Sequence, residues 1–486
     1  MFKRILYFLR DKWVRKTSLT IILSAVLIAI FLLINIIAIR LDVTPWDFTQ
    51  EKRHSLSEES KEVIRNVKQN VTIYFFGFEE DSNYVSLAKQ YEDVNDKIRV
   101  KSVSFIDNPS LASSLGITVN DTIIAFQSSQ RNKLVSQSDL ITYDLSTYEQ
   151  IDVSEQKFTN AIIDVTITRK PQIYFLEGNG EFTIDKDGYM NTLSLNIVNE
   201  VNDVKRLDLL TTDVPEDCDV IVVANPTQDF TSIETDKIIN YIHNGGNILW
   251  LQNPYGYVGK TKDSLPNISR VLAEYGFNFS ESLVCETNSS YMLSGNPDCI
   301  MPVLTYNDIV KDLYTDGKVV LTDPGKIDFV SDEELANLGV SKDNFMVTTD
   351  GAYYNTDIKG SIEKESTDET GTFVLGTALK KKIDDNKSSK MVAISSAFFV
   401  SDITVQVSNA SYVAIALRNN KDIALNAIAY LSNKDDSLRI RKNTNLVTFA
   451  QVSQTENAVV SIIIFGFPLL LIIVGITVII VRKRKR

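Results

Sequence analysis

The segment Glu177-Gly178-Asn179-Gly180-Glu181 is the best local candidate for chemistry in this chain. Glycines after a strand let the backbone approach a ligand or a neighbouring loop closely. Asn179 can donate and accept hydrogen bonds, and Glu181 can take a proton. The competing reading is a tight strand-to-helix turn that holds no ligand. Two further polar turns, Asn225-Pro226 and Asn253-Pro254, also follow apolar runs. Gly178, Asn179, Gly180, Glu181, Asn225 and Asn253 are therefore the candidate ligand or partner residues. No catalytic residue, metal ligand or cofactor is expected.

Other raw material for catalysis is scarce. The chain has 2 histidines. His54 lies in a polar stretch, and His243 ends an amphipathic helix before Asn244-Gly245-Gly246, where a helix C-terminus favours a cation. A His-based hydrolase or a His-rich metal site has little to build on. The 3 cysteines, Cys218, Cys285 and Cys299, cannot all pair within one chain. Cys285 and Cys299 could bridge across a short loop, and Cys218 reads as a buried apolar residue. There is no CxxC pair and no Gly-x-x-x-x-Gly-Lys-Ser/Thr loop, so neither thioredoxin-type redox chemistry nor ATP hydrolysis is expected. A degenerate hydrolase built on Glu181 is a minority reading.

These residues need elements to hold them, and two patterns supply them. Val71–Gly77 reads as a strand, Tyr84–Asn95 as a helix and Ile98–Ile106 as a strand. A short helix opens at Asn108-Pro109-Ser110, and Asp121–Phe126 pairs with Lys133–Ser136. That β-α-β-α-β-β order is thioredoxin-like. Glu155–Thr168 reads as a linking helix. After Pro171, apolar strands at Ile173–Leu176, Val204–Leu210, Asp219–Ala224 and Asn247–Leu251 alternate with helices at Tyr189–Val201, Ile233–His243 and Ile268–Tyr275. Such alternation predicts a parallel sheet of the flavodoxin/amidotransferase-like class, covered on both faces. Sheets of this kind bind things in the turns at their strand ends. Past residue 285 the pattern loosens, with no clear helix. The sheet resumes at Phe373–Leu379 and Lys390–Ser396, a helix over Ile415–Leu431 closes the body, and Ser366–Asp385 reads as a mobile loop.

Two uncharged apolar runs bracket the body, Thr17–Ile39 and Ala458–Val481, each long enough to cross a membrane. Both have basic outer flanks, which places both termini in the cytoplasm and residues 40–457 outside. The reading is a basic tail at 1–16, a transmembrane helix at 17–39, and an extracytoplasmic thioredoxin-like domain with its linking helix at 40–168. An α/β domain at 169–440, a juxtamembrane linker at 441–457, a second helix at 458–481 and a basic tail at 482–486 follow. Asn35, Gly466, Pro468 and Gly475 are candidate helix-packing residues against a neighbouring helix. The chain carries a net charge of −12. Without the eleven basic and one acidic residues of the tails, 39 basic face 61 acidic residues, a net of −22. That balance argues against nucleic acid and against lying on an anionic membrane face.

Several segments in order resemble the GldG-type, gliding-motility-associated auxiliary proteins of ABC transporters. They are Asp47-Phe48-Thr49 with Ser55-Leu56-Ser57, then Tyr174 to Glu181, then Val214-Pro215 and Asp219 to Pro226. The block Glu234 with Tyr241 to Leu249, and the closing apolar run with its basic tail, complete the set. Asn179 stands where that family usually has His, and Asn225 where Gly is commoner. The resemblance implies a non-catalytic accessory subunit in a bacterial plasma membrane, beside an ABC permease and its cytoplasmic ATPase. The alternative is a stand-alone anchored protein that binds envelope carbohydrate or peptidoglycan.

Overall fold

The computed structural model describes residues 56–118, 121–143, 150–311, 313, 318–356, 362–407 and 410–433. Both apolar runs, with Asn35, Gly466, Pro468 and Gly475, lie outside these residues, as do His54 and Asp47-Phe48-Thr49. Among the described residues no helix is long and apolar enough to cross a membrane. The fold is mixed α/β; among the described residues an eight-stranded and a four-stranded sheet dominate, beside five sheets of two or three strands.

The small sheet begins behind helix α1 (Glu58–Arg65), whose Ser57 side chain accepts from Ser60 N–H, a standard N-cap. Strand β1 (Val71–Phe76) pairs in parallel with β2 (Ile98–Val103) and antiparallel with β3 (Ile123–Gln127). β3 pairs antiparallel with β4 (Asn132–Ser136). Helices α2 (Asn83–Val94) and α3 (Pro109–Ser114) fill the connections. Helix α4 (Ser154–Thr166) is more than a linker. Its Phe158 is fully buried and touches Phe75, Tyr91 and Phe126. On its other side Asn160 Nδ2 donates to Asn199 O at 2.8 Å, tying the small sheet to the large one.

The large sheet has eight strands. β5 (Gln172–Leu176), β6 (Asp203–Leu207), β7 (Val220–Ala224), β8 (Asn247–Leu251) and β12 (Ser388–Ile394) run parallel in the order β6-β5-β7-β8-β12. β11 (Val374–Lys382), β10 (Val340–Val347) and β9 (Val303–Leu304) extend the β12 side, each antiparallel to its neighbour. The expected parallel sheet is thus a mixed one.

Alternation along the strands divides the core in two. Ile173, Phe175, Val220, Val222, Leu249 and Leu251 face one cluster, against helices α5 (Asn191–Asn199) and α8 (Asn420–Leu431). Tyr174, Leu176, Ile221, Val223, Ile248 and Trp250 face the other, against α6 (Ser232–His243) and α7 (Pro266–Ala273). Strands buried on both faces need apolar residues at every position, which is why they read as unbroken runs.

Two expectations past residue 285 need correction. A short capped helix, Asp332–Asn337, lies there, with Ser331 and Glu334 forming a capping box. It is too short to show a helical period. Much of Ser366–Asp385 is strand β11 rather than a mobile loop. Leu375 and Leu379 are fully buried, and Lys381 lies 3.4 Å from the Glu274 carboxylate. The run of lysines masks the strand because only alternate ones face solvent.

Candidate functional site

The chain leaves β5 towards β6 and leaves β7 towards β8, and the two following helices cover opposite faces. The crevice between the carboxyl ends of β5 and β7 is therefore a topological switch point, where open α/β sheets bind ligands. Gly178-Asn179-Gly180-Glu181 and Asn225 both sit there.

The glycine turn is held from three sides. Gly178 and Gly180 have φ of 125° and 76°, conformations that strain other residues. A Cβ on Gly180 would collide with the Thr227 hydroxyl. Asn179 O accepts from Thr227 N and Gln228 N at 3.0 Å each, and Phe182 N donates to Ala224 O at 2.8 Å. Asn179 Nδ2 donates to Glu234 Oε1 at 2.8 Å. Glu234 is fully buried, and its second oxygen accepts from Thr231 N and Oγ1, closing the capping box of α6. Asn179 thus links the β5 turn to the N-terminus of the helix that follows β7.

Glu181 is buried, and its Oε2 accepts from Asn179 N at 2.7 Å. Its Oε1 has no hydrogen-bond partner among the described residues. Burial raises the Glu181 carboxyl above its ordinary range, Glu234 and Glu177 push the same way, and two backbone N–H donors oppose them. Burial raises Glu177 too, against Arg206, whose Nε lies 3.6 Å away, an ion pair too long for a hydrogen bond.

The second half of the edge is built on asparagines. Asn225 has φ of 55°, a left-handed conformation that asparagine tolerates better than most residues. Its Oδ1 accepts from Gln252 Nε2 at 3.2 Å and Asn253 N at 3.1 Å. Asn253 Oδ1 accepts from Ala397 N at 2.7 Å and Phe398 N at 3.2 Å, capping the short helix Phe398–Val400 beyond β12. Asn253 Nδ2 is buried with no partner among the described residues, as is Thr322 Oγ1. The structure brings all six sequence candidates to one edge.

Sequence reasoning missed the aromatic residues around them. Phe182 lies 4.9 Å from Tyr189 and 5.9 Å from Phe398, centroid to centroid, and Phe398 lies 5.7 Å from Tyr257. Phe182, Tyr257 and Phe398 lie within a few residues of a strand end or a polar turn, but their meeting with one another and with Tyr189 is set by the order of the strands. Asp323 faces Tyr257, and burial with the nearby Asp298 pushes its carboxyl up to about 6.

The remaining sequence candidates are structural. His243 Nε2 pairs with Glu274 at 2.9 Å on the surface. Cys218, Cys285 and Cys299 are free, and burial pushes each thiol up to about 12. Among the described residues, no group of three or more acidic, His or Cys side chains could hold a metal ion. A cleft of about 760 Å³ opens at the opposite, amino edge of the sheet, beside Asp213, Lys237, Asn247 and Asn433. The Lys237 ammonium there is already engaged by Leu209 O, Thr212 O and Asp213.

None of the curated proteins matches the chain. Among solved structures it is similar to the mmIFT52 N-terminal domain, at 14% identity over 55% of this chain and 98% of that one, with a TM-score of 0.39. It is also similar to a putative ThuA-like protein from Bacteroides uniformis, at 13% identity over 56% of this chain and 96% of that one, with a TM-score of 0.29. A putative ThuA-like protein from Parabacteroides merdae gives 10% identity, 55% and 92% coverage, and a TM-score of 0.32. Residues 170–296 match the family described as an ABC-type uncharacterized transport system. Over that segment, which holds Gly178–Glu181, Asn225 and Asn253, the GldG-like resemblance is borne out, and the family's name points to an auxiliary component of an ABC-type transport system.

Proposed function

We propose that the protein is a non-catalytic accessory subunit of an ABC-type transport system, acting beside a permease and a cytoplasmic ATPase. The observation that carries this reading is the family match over 170–296, which contains both turns of the switch point. Two membrane helices, at 17–39 and 458–481, hold the chain to the bacterial plasma membrane with both termini inside. The uncharged runs and their basic flanks support that placement.

In this reading residues 40–168 form a thioredoxin-like scaffold without redox cysteines, and the β2-β1-β3-β4 order supports the label. Residues 169–440 form a flavodoxin/amidotransferase-like domain, and the β6-β5-β7-β8 order supports that. The carboxyl edge of the large sheet then contacts cargo or an envelope partner. Energy comes from ATP hydrolysis on the partner. Purification of the tagged chain from native membranes in mild detergent tests this. A permease and an ATPase in comparable amounts are expected; recovery of the chain without either one refutes the assignment.

A further inference from the structure

The loops after β5, β8 and β12 bring Tyr189, Phe182, Phe398 and Tyr257 into one connected row at the carboxyl edge. The two end rings are open to solvent, Tyr189 at 51% and Tyr257 at 40%. Phe182 and Phe398 between them are half-buried and roughly parallel, with 25° between their planes. Tyr257 is turned across Phe398 at 82°, and Tyr189 is tilted on Phe182 at 52°. Each loop is fixed by hydrogen bonds, that of Tyr257 through Gly256 N to Glu281 O at 2.8 Å, so the row is preorganised rather than assembled on binding. Phe182 is anchored through Ala224 O, Phe398 through Asn253, and Tyr189 O accepts from Asp402 N at 2.8 Å.

We propose that this row binds a neutral glycan, of the class of β-1,4-linked pyranosides. Equatorial linkages give such chains flat faces of C–H groups, which stack on aromatic rings, and rims of hydroxyls. The tyrosine hydroxyls and the carboxyl of Asp323, which faces Tyr257, are suited to those hydroxyls. A cage around a single point would suit a lone ammonium group; a row suits an extended ligand. The carboxylate of Asp323 beside Tyr257 disfavours anionic polymers. The inference deepens the proposed function by naming the class of envelope partner, and it takes from that reading only the outward placement of the body.

The test is calorimetric titration of the full chain, in lipid nanodiscs, with the hexamer of β-1,4-linked N-acetylglucosamine. Saturable binding is expected, with α-1,4-linked maltohexaose much weaker. Tyr257→Ala and Tyr189→Ala should each weaken it about tenfold, the scale of one lost aromatic contact. Tyr257→Phe, which keeps the ring, should stay within about threefold, as should Tyr306→Ala at an exposed tyrosine elsewhere. No binding by the folded wild type, or binding unchanged in the Tyr189→Ala/Tyr257→Ala double variant, overturns the proposal. Co-purification of a transporter without glycan binding overturns this inference alone; glycan binding without a transporter overturns the subunit assignment alone.

Discussion

Asn247 opens strand β8 and Asn253 follows its end, and both are buried. At the amino edge, Asn247 Nδ2 donates to Leu431 O at 2.9 Å and its Oδ1 accepts from Lys390 N at 2.9 Å. At the carboxyl edge, Asn253 uses its oxygen twice and leaves its Nδ2 unpaired among the described residues. Other residues extend the contrast. Asp219 accepts from Arg169 at 3.0 Å and from Gln172 N at 2.7 Å, and Gln172 donates on to Asp203 at 2.9 Å. Glu177, Glu181 and Thr322 at the other end each keep a buried oxygen without a hydrogen bond among the described residues. Buried polar atoms are normally paired, and leaving one unpaired costs about 1–3 kcal/mol. The amino edge has its own exceptions, the left-handed Val201 at φ 60° and an unpaired Asn202 Oδ1 just before β6. The carboxyl edge concentrates them: Glu177, Glu181, Asn253 and Thr322 each leave a buried atom unpaired among the described residues, beside exposed rings, and such local conflicts mark functional sites.

The contrast between the edges can be broken by substitution. Asn247→Ala strips partners from Lys390 N–H and Leu431 C=O, and should cost about 2–4 kcal/mol in thermal or urea unfolding. Gly180→Ala forces a side chain into a left-handed position against Thr227, and should cost about 1–3 kcal/mol. Asp323→Asn should do the reverse. The folded carboxyl sits at about 6, against an ordinary 3.8, so the folded state binds the proton more tightly. Wild-type stability then falls as pH rises from about 4 to about 6. The amide variant should lack that fall and be more stable at pH 7.5 by about 1–2 kcal/mol, with the advantage gone below about pH 4. Asparagine also tolerates the φ of 48° at this position. Glu181→Gln should change stability by less than about 1 kcal/mol, because it exchanges one half-paired group for another.

Much of this was legible in the residues. The unbroken runs at Ile173–Leu176, Asp219–Ala224 and Asn247–Leu251 announce central strands, and Gly245-Gly246 marks the end of α6, with Gly245 at φ 84°. The Gly178–Glu181 and Asn225 turns follow from the strand ends. Val340–Val347 was not legible, because a strand with Ser341, Lys342 and Asp343 exposed lacks an apolar run. Nor was the aromatic row, since residues 189, 257 and 398 meet only through the order of the strands. The partner role of Glu234 was hidden for a related reason. Thr231-x-x-Glu234 spells a capping box, but the bond from Asn179, 55 positions away, is tertiary.

The most direct measurement sets Asn247→Ala beside Glu181→Gln in one unfolding experiment on the full chain, followed through the buried Trp250 of β8. A loss from Asn247→Ala larger by about 2 kcal/mol than that from Glu181→Gln is the predicted result. Equal losses would mean that the carboxyl edge contributes to stability as much as the amino edge does, and would contradict its assignment as the functional one.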